Sequence, residues 1–468
     1  MTLPAELALP DARARIRAAH LRSGRRIVVL DDDPTGSQTV HDVTAVFALD
    51  AAEYAQALAG PGSTCFILTN SRSLSEPDAV RLTYRAGCEL FALAARMGVP
   101  VSVVSRGDST LRGHLIAEVR ALLAARQEVT GRGFDGVLLV PCYVEAGRFT
   151  VADTHWAMVD GHPVPVGETE FARDVTFGYS SSDLRDVVVE KSRGEIDRRD
   201  VLSLTLEDIR GGGPQRVAEV LSGVRGGRFV VVNAVTYADL EVAVLGLQEA
   251  ERGGRAFLHR SGPSFVRALA GLEPQPPLAA RQIWPAGRPS GHGLVVVGSH
   301  VGLTNSQVEV ARGDAGMVEV VVDVPEVLDP SRRERQGRET AQRVAGALAQ
   351  SDVLLLTSRT VVTGGDADSS LRLSRTVSQA VSDVVRGALV ARPGWVLAKG
   401  GITSHDVAIR GLGIRRAVVL GQLLPGLVSV FRPVEAAPDA VGVPYVVFAG
   451  NVGDEHTLAT VIERLKGP

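Results

Sequence analysis

The sequence predicts an α/β protein of two domains, each with a mainly parallel sheet flanked by helices. Three observations predict it. Short β-branched runs recur along the chain, and each ends in a small or polar residue. Segments with apolar residues at helical spacing lie between many of them. A stretch rich in Pro and Gly, 271–292, interrupts both patterns and divides the chain into 1–270 and 293–468.

The runs justify the strands in order. Residues 27–30, 66–68, 101–104, 137–140 and 229–232 form the first set. Residues 294–297, 318–322, 353–356, 395–398, 417–420 and 445–448 form the second. Near-continuous apolar runs of this length suit strands buried on both faces. Helical periodicity covers 77–97, 114–126, 215–224, 237–252, 333–350 and 370–390. Strand and helix in alternation imply parallel sheets, whose ligands bind beyond the carboxyl ends of the strands. The Pro and Gly content of 271–292 disfavours helix and central strand, so it reads as a linker. The polar stretch 163–199 reads as an excursion from the first sheet.

Composition excludes several classes. The chain has 468 residues, 45% hydrophobic and 22% charged, the balance of a globular protein rather than a disordered one. With 50 basic and 53 acidic residues, bulk charge gives no support to a nucleic-acid or anionic-membrane partner. Cys65, Cys88 and Cys142 are well separated and form no Cys-x-x-Cys pair, so buried thiols of a cytoplasmic protein are expected. No apolar run is long enough to span a bilayer. Residues 1–26 lack the central apolar block of a secretory signal and read as an amphipathic helix. That helix is the candidate surface for self-association into a homodimer.

Polar residues that follow the runs carry the chemistry. Asp31-Asp32-Asp33-Pro34-Thr35-Gly36-Ser37 sets three carboxylates after the first strand. They repel one another unless a cation, hydrogen-bond donors or protons compensate. An Asp-rich cap is the plain alternative. Ser105-Arg106-Gly107-Asp108-Ser109-Thr110-Leu111-Arg112-Gly113 packs two guanidinium groups, a carboxylate and hydroxyls into another strand-to-helix turn. Arginine matches a carboxylate bidentately, which points to a small acid. Helix capping and an Asp108–Arg112 pair are the structural alternative. Thr69-Asn70-Ser71-Arg72 occupies the equivalent place after its own strand. In the second half, Gly298-Ser299, Lys399-Gly400-Gly401-Ile402-Thr403 and Gly450-Asn451-Val452-Gly453 follow three strands. Glycine lets backbone N–H groups approach phosphate oxygens. No Walker-type pattern occurs, no Gly-x-Gly-x-x-Gly follows the first strand, and the histidines show no metal-ligand spacing.

In this order the motifs resemble those of the four-carbon acid sugar kinase family, over about residues 28–461. The family's paired acids fall on Asp32 and Asp33, and its Asp-Ser-Thr-x-Arg-Gly falls on 108–113. Its Gly-Ser falls on Gly298 and Ser299, its Gly-Gly-x-Thr on 400–403, and its Gly-Asn-x-Gly on 450–453. Thr169-Glu170-Phe171 also looks like a stretch the family carries. The chain departs from the pattern at Asp31, Pro34, Arg106 and Ile402, and after Gly453. The resemblance implies an acid-sugar-binding domain, a nucleotide-binding domain, and an active site in the cleft between them. It implies phosphorylation of a hydroxyl of a four-carbon acid, with ATP and Mg²⁺, the metal's protein ligands being unassigned. Asp33 and Asp108 are then the expected catalytic residues. Asp32, Thr35, Arg72, Arg106, Ser109, Thr110 and Arg112 are expected on the acid, with Arg106 and Arg112 on its carboxylate. Ser299, Gly400, Gly401, Ile402, Thr403, Gly450 and Asn451 are expected around ATP. A non-catalytic sensor on the same fold and an NAD-linked hydroxyacid dehydrogenase are the alternatives.

Overall fold

The computed structural model describes residues 3–285, 287, 291–298, 302–314, 316–358, 367–450 and 452–466. The chain divides into two compact units, Met1–Pro274 and Gln275–Pro468.

In the first unit eight parallel strands form one sheet. They are β1 (Arg26–Asp31), β2 (Val43–Val46), β3 (Thr64–Leu68), β4 (Val101–Arg106), β5 (Gly136–Val140), β9 (Leu202–Leu204), β10 (Arg228–Val232) and β11 (Phe257–Ser261). Between β5 and β9 in the chain come β6 (Arg148–Val151), β7 (Thr154–Val159) and β8 (His162–Pro165), a separate antiparallel sheet. The large sheet runs β2-β3-β1-β4-β11-β5-β10-β9. From β1 the chain passes to β3 on one side and then to β4 on the other. The carboxyl ends of β1 and β4 therefore flank the switch point, where α/β sheets bind ligands. Val28, Val103, Val137 and Leu258 are wholly buried, as the apolar runs require. Helices Glu76–Met97 and Leu115–Thr130 pack on this sheet's core through Leu90, Phe91, Val119 and Leu122. The first of them is capped by Ser75 and ended by left-handed Gly98.

The second unit contains β12 (Gly293–Val297), β13 (Val318–Val322), β14 (Val353–Thr357), β15 (Trp395–Lys399), β16 (Arg416–Leu424), β17 (Val428–Glu435) and β18 (Tyr445–Phe448). Its order is β13-β14-β12-β15-β18-β17-β16, parallel from β13 to β18. The β16–β17 hairpin adds two antiparallel strands at the end of that order. The switch point lies between β12 and β15.

Two expectations differ from what is observed. The stretch 271–292 is not a featureless linker. It contains a short helix, Ala280–Ile283, and Leu278, Ile283 and Trp284 enter the second unit's core. The apolar side chains outweigh the local Pro and Gly signal. The excursion after β5 is also structured earlier than expected, from Arg148. Among the described residues, no helix is long and apolar enough to cross a membrane.

Candidate functional site

The first unit's site is built by loops after β1, β3, β4 and β11. Backbone bonds lock these loops together. Thr69 N donates to Asp31 O at 2.9 Å, Asp32 N to Arg106 O at 3.2 Å, and Gly107 N to Ser261 O at 3.0 Å. Asn70 and Leu111 are held in left-handed backbone, at φ 51° and 66°. Such strain persists where surrounding structure enforces it.

Guanidinium groups supply the compensation that three adjacent carboxylates need. Asp31 is fully buried and paired with Arg106. Asp32 is paired with Arg72, whose Nε donates to its Oδ2 at 3.2 Å. The same Arg72 reaches Asp33 Oδ2 at 3.1 Å. Thr35 donates to Asp33 Oδ1 from both its N–H, at 2.8 Å, and its hydroxyl, at 2.6 Å. Gly36 closes this turn where any β-carbon would collide with the Arg106 guanidinium and the Asp31 carboxylate.

The carboxylates are tuned differently. Burial pushes the Asp31 carboxyl up to about 7, with Arg106 opposing and Asp32 adding to the shift. Burial also raises Asp33, but Arg72, Arg106 and the Thr35 bonds outweigh it, so Asp33 lies below the usual carboxylate range. Asp108 lies well below that range. Burial there is overcome by Arg72, by Arg112, and by hydrogen bonds from Arg112 and Thr110. Side-chain exposure separates the three aspartates of the first turn: 0% for Asp31, 2% for Asp32 and 21% for Asp33. Only Asp33 of the three presents a carboxylate to an incoming ligand. Asp108, at 14%, is partly open as well.

The loop after β4 follows the same logic. Arg112 Nε donates to Asp108 Oδ2 at 2.7 Å, so the helical pair read from the sequence is present. Arg106, expected on a substrate carboxylate, has its side chain only 5% exposed, against Asp31 and the Asp33 carbonyl. It ties the loops of β1 and β4 together. The small sheet, through His155, and the segment after it, through Tyr179, support this loop. His155 Nε2 lies 2.8 Å from Ser109 O, and Tyr179 donates to Thr110 O at 2.7 Å. Ser109 and Thr110 are themselves buried.

Two buried residues beneath the site escape the sequence pattern. Arg260, at the end of β11, donates to Ser105 Oγ and Glu118 Oε2, both at 2.7 Å, and lies 3.9 Å from Asp32 Oδ2. Glu118 accepts a further bond from Ser71. Both are almost wholly buried beneath the site. The one signal for Arg260 is the apolar pair Phe257-Leu258 before it; the segment Phe-Leu-His-Arg-Ser otherwise reads as polar.

The second unit brings its glycine loops together at the carboxyl ends of β12, β15 and β18. Thr304 Oγ1 donates to Gly450 O at 3.0 Å, and Gln307 Nε2 to Val452 O at 3.0 Å. Gly400 adopts φ 105°, a conformation that favours glycine. Gly298 abuts Thr403, whose Oγ1 would lie 2.5 Å from an added β-carbon. The loops thus have the small cross-section that a phosphate approach needs, and the residues present fit a nucleotide. Gly401 opens the helix Gly401–Asp406, and Ile402 beside it is 48% exposed. Ser299 and Asn451 lie outside the described residues. For Mg²⁺, no group of three His, Cys, Asp or Glu side chains forms a cage among the described residues. The site carboxylates in the first unit are each matched to a guanidinium. A divalent cation carried on nucleotide phosphates fits this arrangement, as Mg²⁺ commonly binds.

Lys399 holds these loops from below. It is wholly buried, and its Nζ donates to Ala449 O at 3.1 Å and Gly450 O at 3.3 Å, above the Phe448 ring. Among the described residues no carboxylate pairs with it, and burial pushes its pKa down to about 7. Unfolded lysine keeps its proton to about 10.4. Between those limits the unfolded state binds more protons, so this group makes stability rise with pH, by at most about 1.4 kcal/mol per pH unit. The urea midpoint followed by tryptophan fluorescence, to which Trp284 and Trp395 of this unit contribute, is expected to climb from pH 7 to 9. In Lys399→Met that climb should flatten.

Two family models match successive parts of the chain. A family model described as a sugar-binding N-terminal domain matches residues 27–269, and one described as a nucleotide-binding C-terminal domain matches 294–458. A D-erythronate kinase of Heliobacterium modesticaldum is 28% identical over 350 residues, covering 72% of each chain. A Salmonella typhimurium LT2 protein, provisionally described as a tRNA synthase, superposes with TM-score 0.67 at 17% identity, over 93% of this chain and 98% of that one. A Haemophilus influenzae protein of the family DUF1537 superposes with TM-score 0.61 at 17% identity, over 94% and 99%. These two structures share the fold.

Proposed function

This chain belongs to the four-carbon acid sugar kinase family, and on that premise we propose that it transfers the γ-phosphoryl group of ATP to a hydroxyl of a four-carbon acid of the erythronate, threonate or 3-oxo-tetronate type. The observation that carries the reading is the pairing of two switch-point sites in one chain. One is lined by aspartates and arginines, the other by glycine loops.

The acceptor hydroxyl attacks the γ-phosphorus, the bond from that phosphorus to the β-bridging oxygen breaks, and ADP leaves. The hydroxyl proton passes to a carboxylate, which we assign to Asp33. Asp108 orients the acid's hydroxyls, with Thr35, Ser109 and Thr110 shaping the turns; Asp32, expected on the acid, is buried against Arg72 and positions that arginine instead. Arg112 and Arg72 face the acid's negative charge, and Arg106 fixes the Asp31–Asp33 turn. Gly400, Gly401, Thr403 and Gly450 surround the phosphates, joined by Ser299, Ile402 and Asn451. Mg²⁺ supplies charge neutralisation on those phosphates. Such transfer needs positioning and charge stabilisation above all.

The test is ADP release from ATP and Mg²⁺ with D- and L-erythronate, D- and L-threonate, and erythritol as a neutral control. Acid-dependent release, with erythritol far slower, is expected. Binding of acid and nucleotide with no ADP from any acid would replace the kinase with a sensor. An absorbance change with a nicotinamide cofactor would replace it with a dehydrogenase.

A further inference from the structure

Around the first unit's site, four guanidinium groups are matched to carboxylates. Arg72 spans Asp32 and Asp33, Arg106 pairs with Asp31, Arg112 with Asp108, and Arg260 with Glu118. A fifth is not. Arg148 opens β6 of the small sheet and borders the same loop. Its backbone is fixed by reciprocal bonds with Tyr143, both 2.9 Å. Among the described residues its side chain makes no hydrogen bond or ion pair, and its Nε is buried without a partner.

What surrounds Arg148 is aromatic. Its guanidinium carbon lies 5.5 Å from the Phe171 ring centroid and 5.8 Å from that of Tyr143. Arg112 lies 5.2 Å from the same Phe171 ring. The two guanidiniums therefore share one ring and flank the Asp108 loop, which His155 and Tyr179 hold in place. Asp108 attracts the Arg148 charge and Arg112 repels it, while burial disfavours it most. Aromatic faces offset part of the cost of a poorly hydrated cation, but they satisfy none of its N–H donors. An acceptor with two oxygens would satisfy them.

We propose that Arg148 binds the carboxylate of the acid substrate, with Phe171 aligning it beside Arg112. The inference rests on the kinase reading for the identity of the acid. It makes the small β6–β8 sheet the element that selects an acid over the corresponding polyol. Arg112 has Asp108 as its counter-ion, whereas Arg148 gains a counter-ion only when the ligand binds.

The test compares the wild type with Arg148→Met and Arg148→Lys in the full-length protein. Calorimetric titration of D-erythronate is run beside ADP release with D-erythronate and with erythritol. Loss of a charged hydrogen-bonded pair corresponds to roughly 10- to 100-fold in affinity. Arg148→Met should weaken erythronate binding by about that factor. It should narrow the preference for erythronate over erythritol and leave the KM for ATP unchanged, and Arg148→Lys should recover part of the loss. Unchanged erythronate affinity in Arg148→Met would overturn the proposal. So would an equal loss for erythronate and erythritol, the mark of a merely structural role. Erythronate binding that depends on Arg148 in a protein without turnover would sink the kinase reading and leave the anion site standing. Turnover that ignores Arg148 would do the reverse.

Discussion

Asp33→Asn is expected to lower kcat by about 10²- to 10⁴-fold, the usual contribution of a positioned proton acceptor. The KM for ATP should change less than twofold. Asparagine keeps the volume and can still accept from Thr35, so the turn should survive while the charge is lost. Asp33 is the most exposed of the three aspartates, and its carboxylate is held below the usual range. It is therefore ionised at neutral pH and open to the acceptor hydroxyl. The depression at Asp33 and that at Asp108 predict a pH profile without an acid limb near pH 5 from these two groups. Both stay deprotonated as pH falls until it drops below the ordinary carboxylate value. Asp108→Asn should also cripple turnover with nucleotide binding retained. Steady-state kinetics with D-erythronate, beside nucleotide titration, checks both variants. Full activity in either would remove that residue from the proposed chemistry.

The largest stability effect is expected beneath the site. Arg260→Met leaves Glu118 buried with only the Ser71 hydroxyl, and removes the cation 3.9 Å from Asp32. Breaking a buried ion pair from one side typically costs about 3–5 kcal/mol, because the remaining charge has no partner. Arg260→Met/Glu118→Leu should recover most of that loss, since an apolar pair of similar volume carries no buried charge. Urea denaturation followed by circular dichroism measures the cycle. A single variant as stable as the wild type, or a double variant no better than the single, would show that the pair does not support this unit. Activity should not return with stability in the double variant, because Arg260 also helps hold Asp32.

The strands that carry the site were legible where they are continuous and apolar. β1 and β4 each run through buried valines to a polar end, and the polar ends are the site. The need for compensation at Asp31–Asp33 was legible too, though not its source, because the guanidinium groups of Arg72 and Arg106 arrive from segments distant in sequence. β11 was not legible. Its sequence Phe-Leu-His-Arg-Ser reads as polar, yet all five residues are buried between β4 and β5. His259 there lies 5.3 Å from the Phe265 ring, and burial pushes its pKa down to about 3. It sits in the core as a neutral ring, which periodicity cannot anticipate. Arg148 was missed for a related reason. A four-residue edge segment, Arg-Phe-Thr-Val, gives too short a pattern to register as a strand. In the second unit β15 and its glycine loop were legible, but β17, Val428–Glu435, was not, since Arg432 and Pro433 interrupt its apolar run.

Crystals grown with D-erythronate and a non-hydrolysable ATP analogue put the whole account to one measurement. The acid should lie at the carboxyl ends of β1, β4 and β11, its hydroxyls toward Asp33 and Asp108 and its carboxylate on Arg148. The triphosphate should lie against Gly298, Gly400, Gly401 and Gly450. Density for the acid among the glycine loops, or for the phosphates among the aspartates and arginines, would contradict the division of labour from which every role above is drawn.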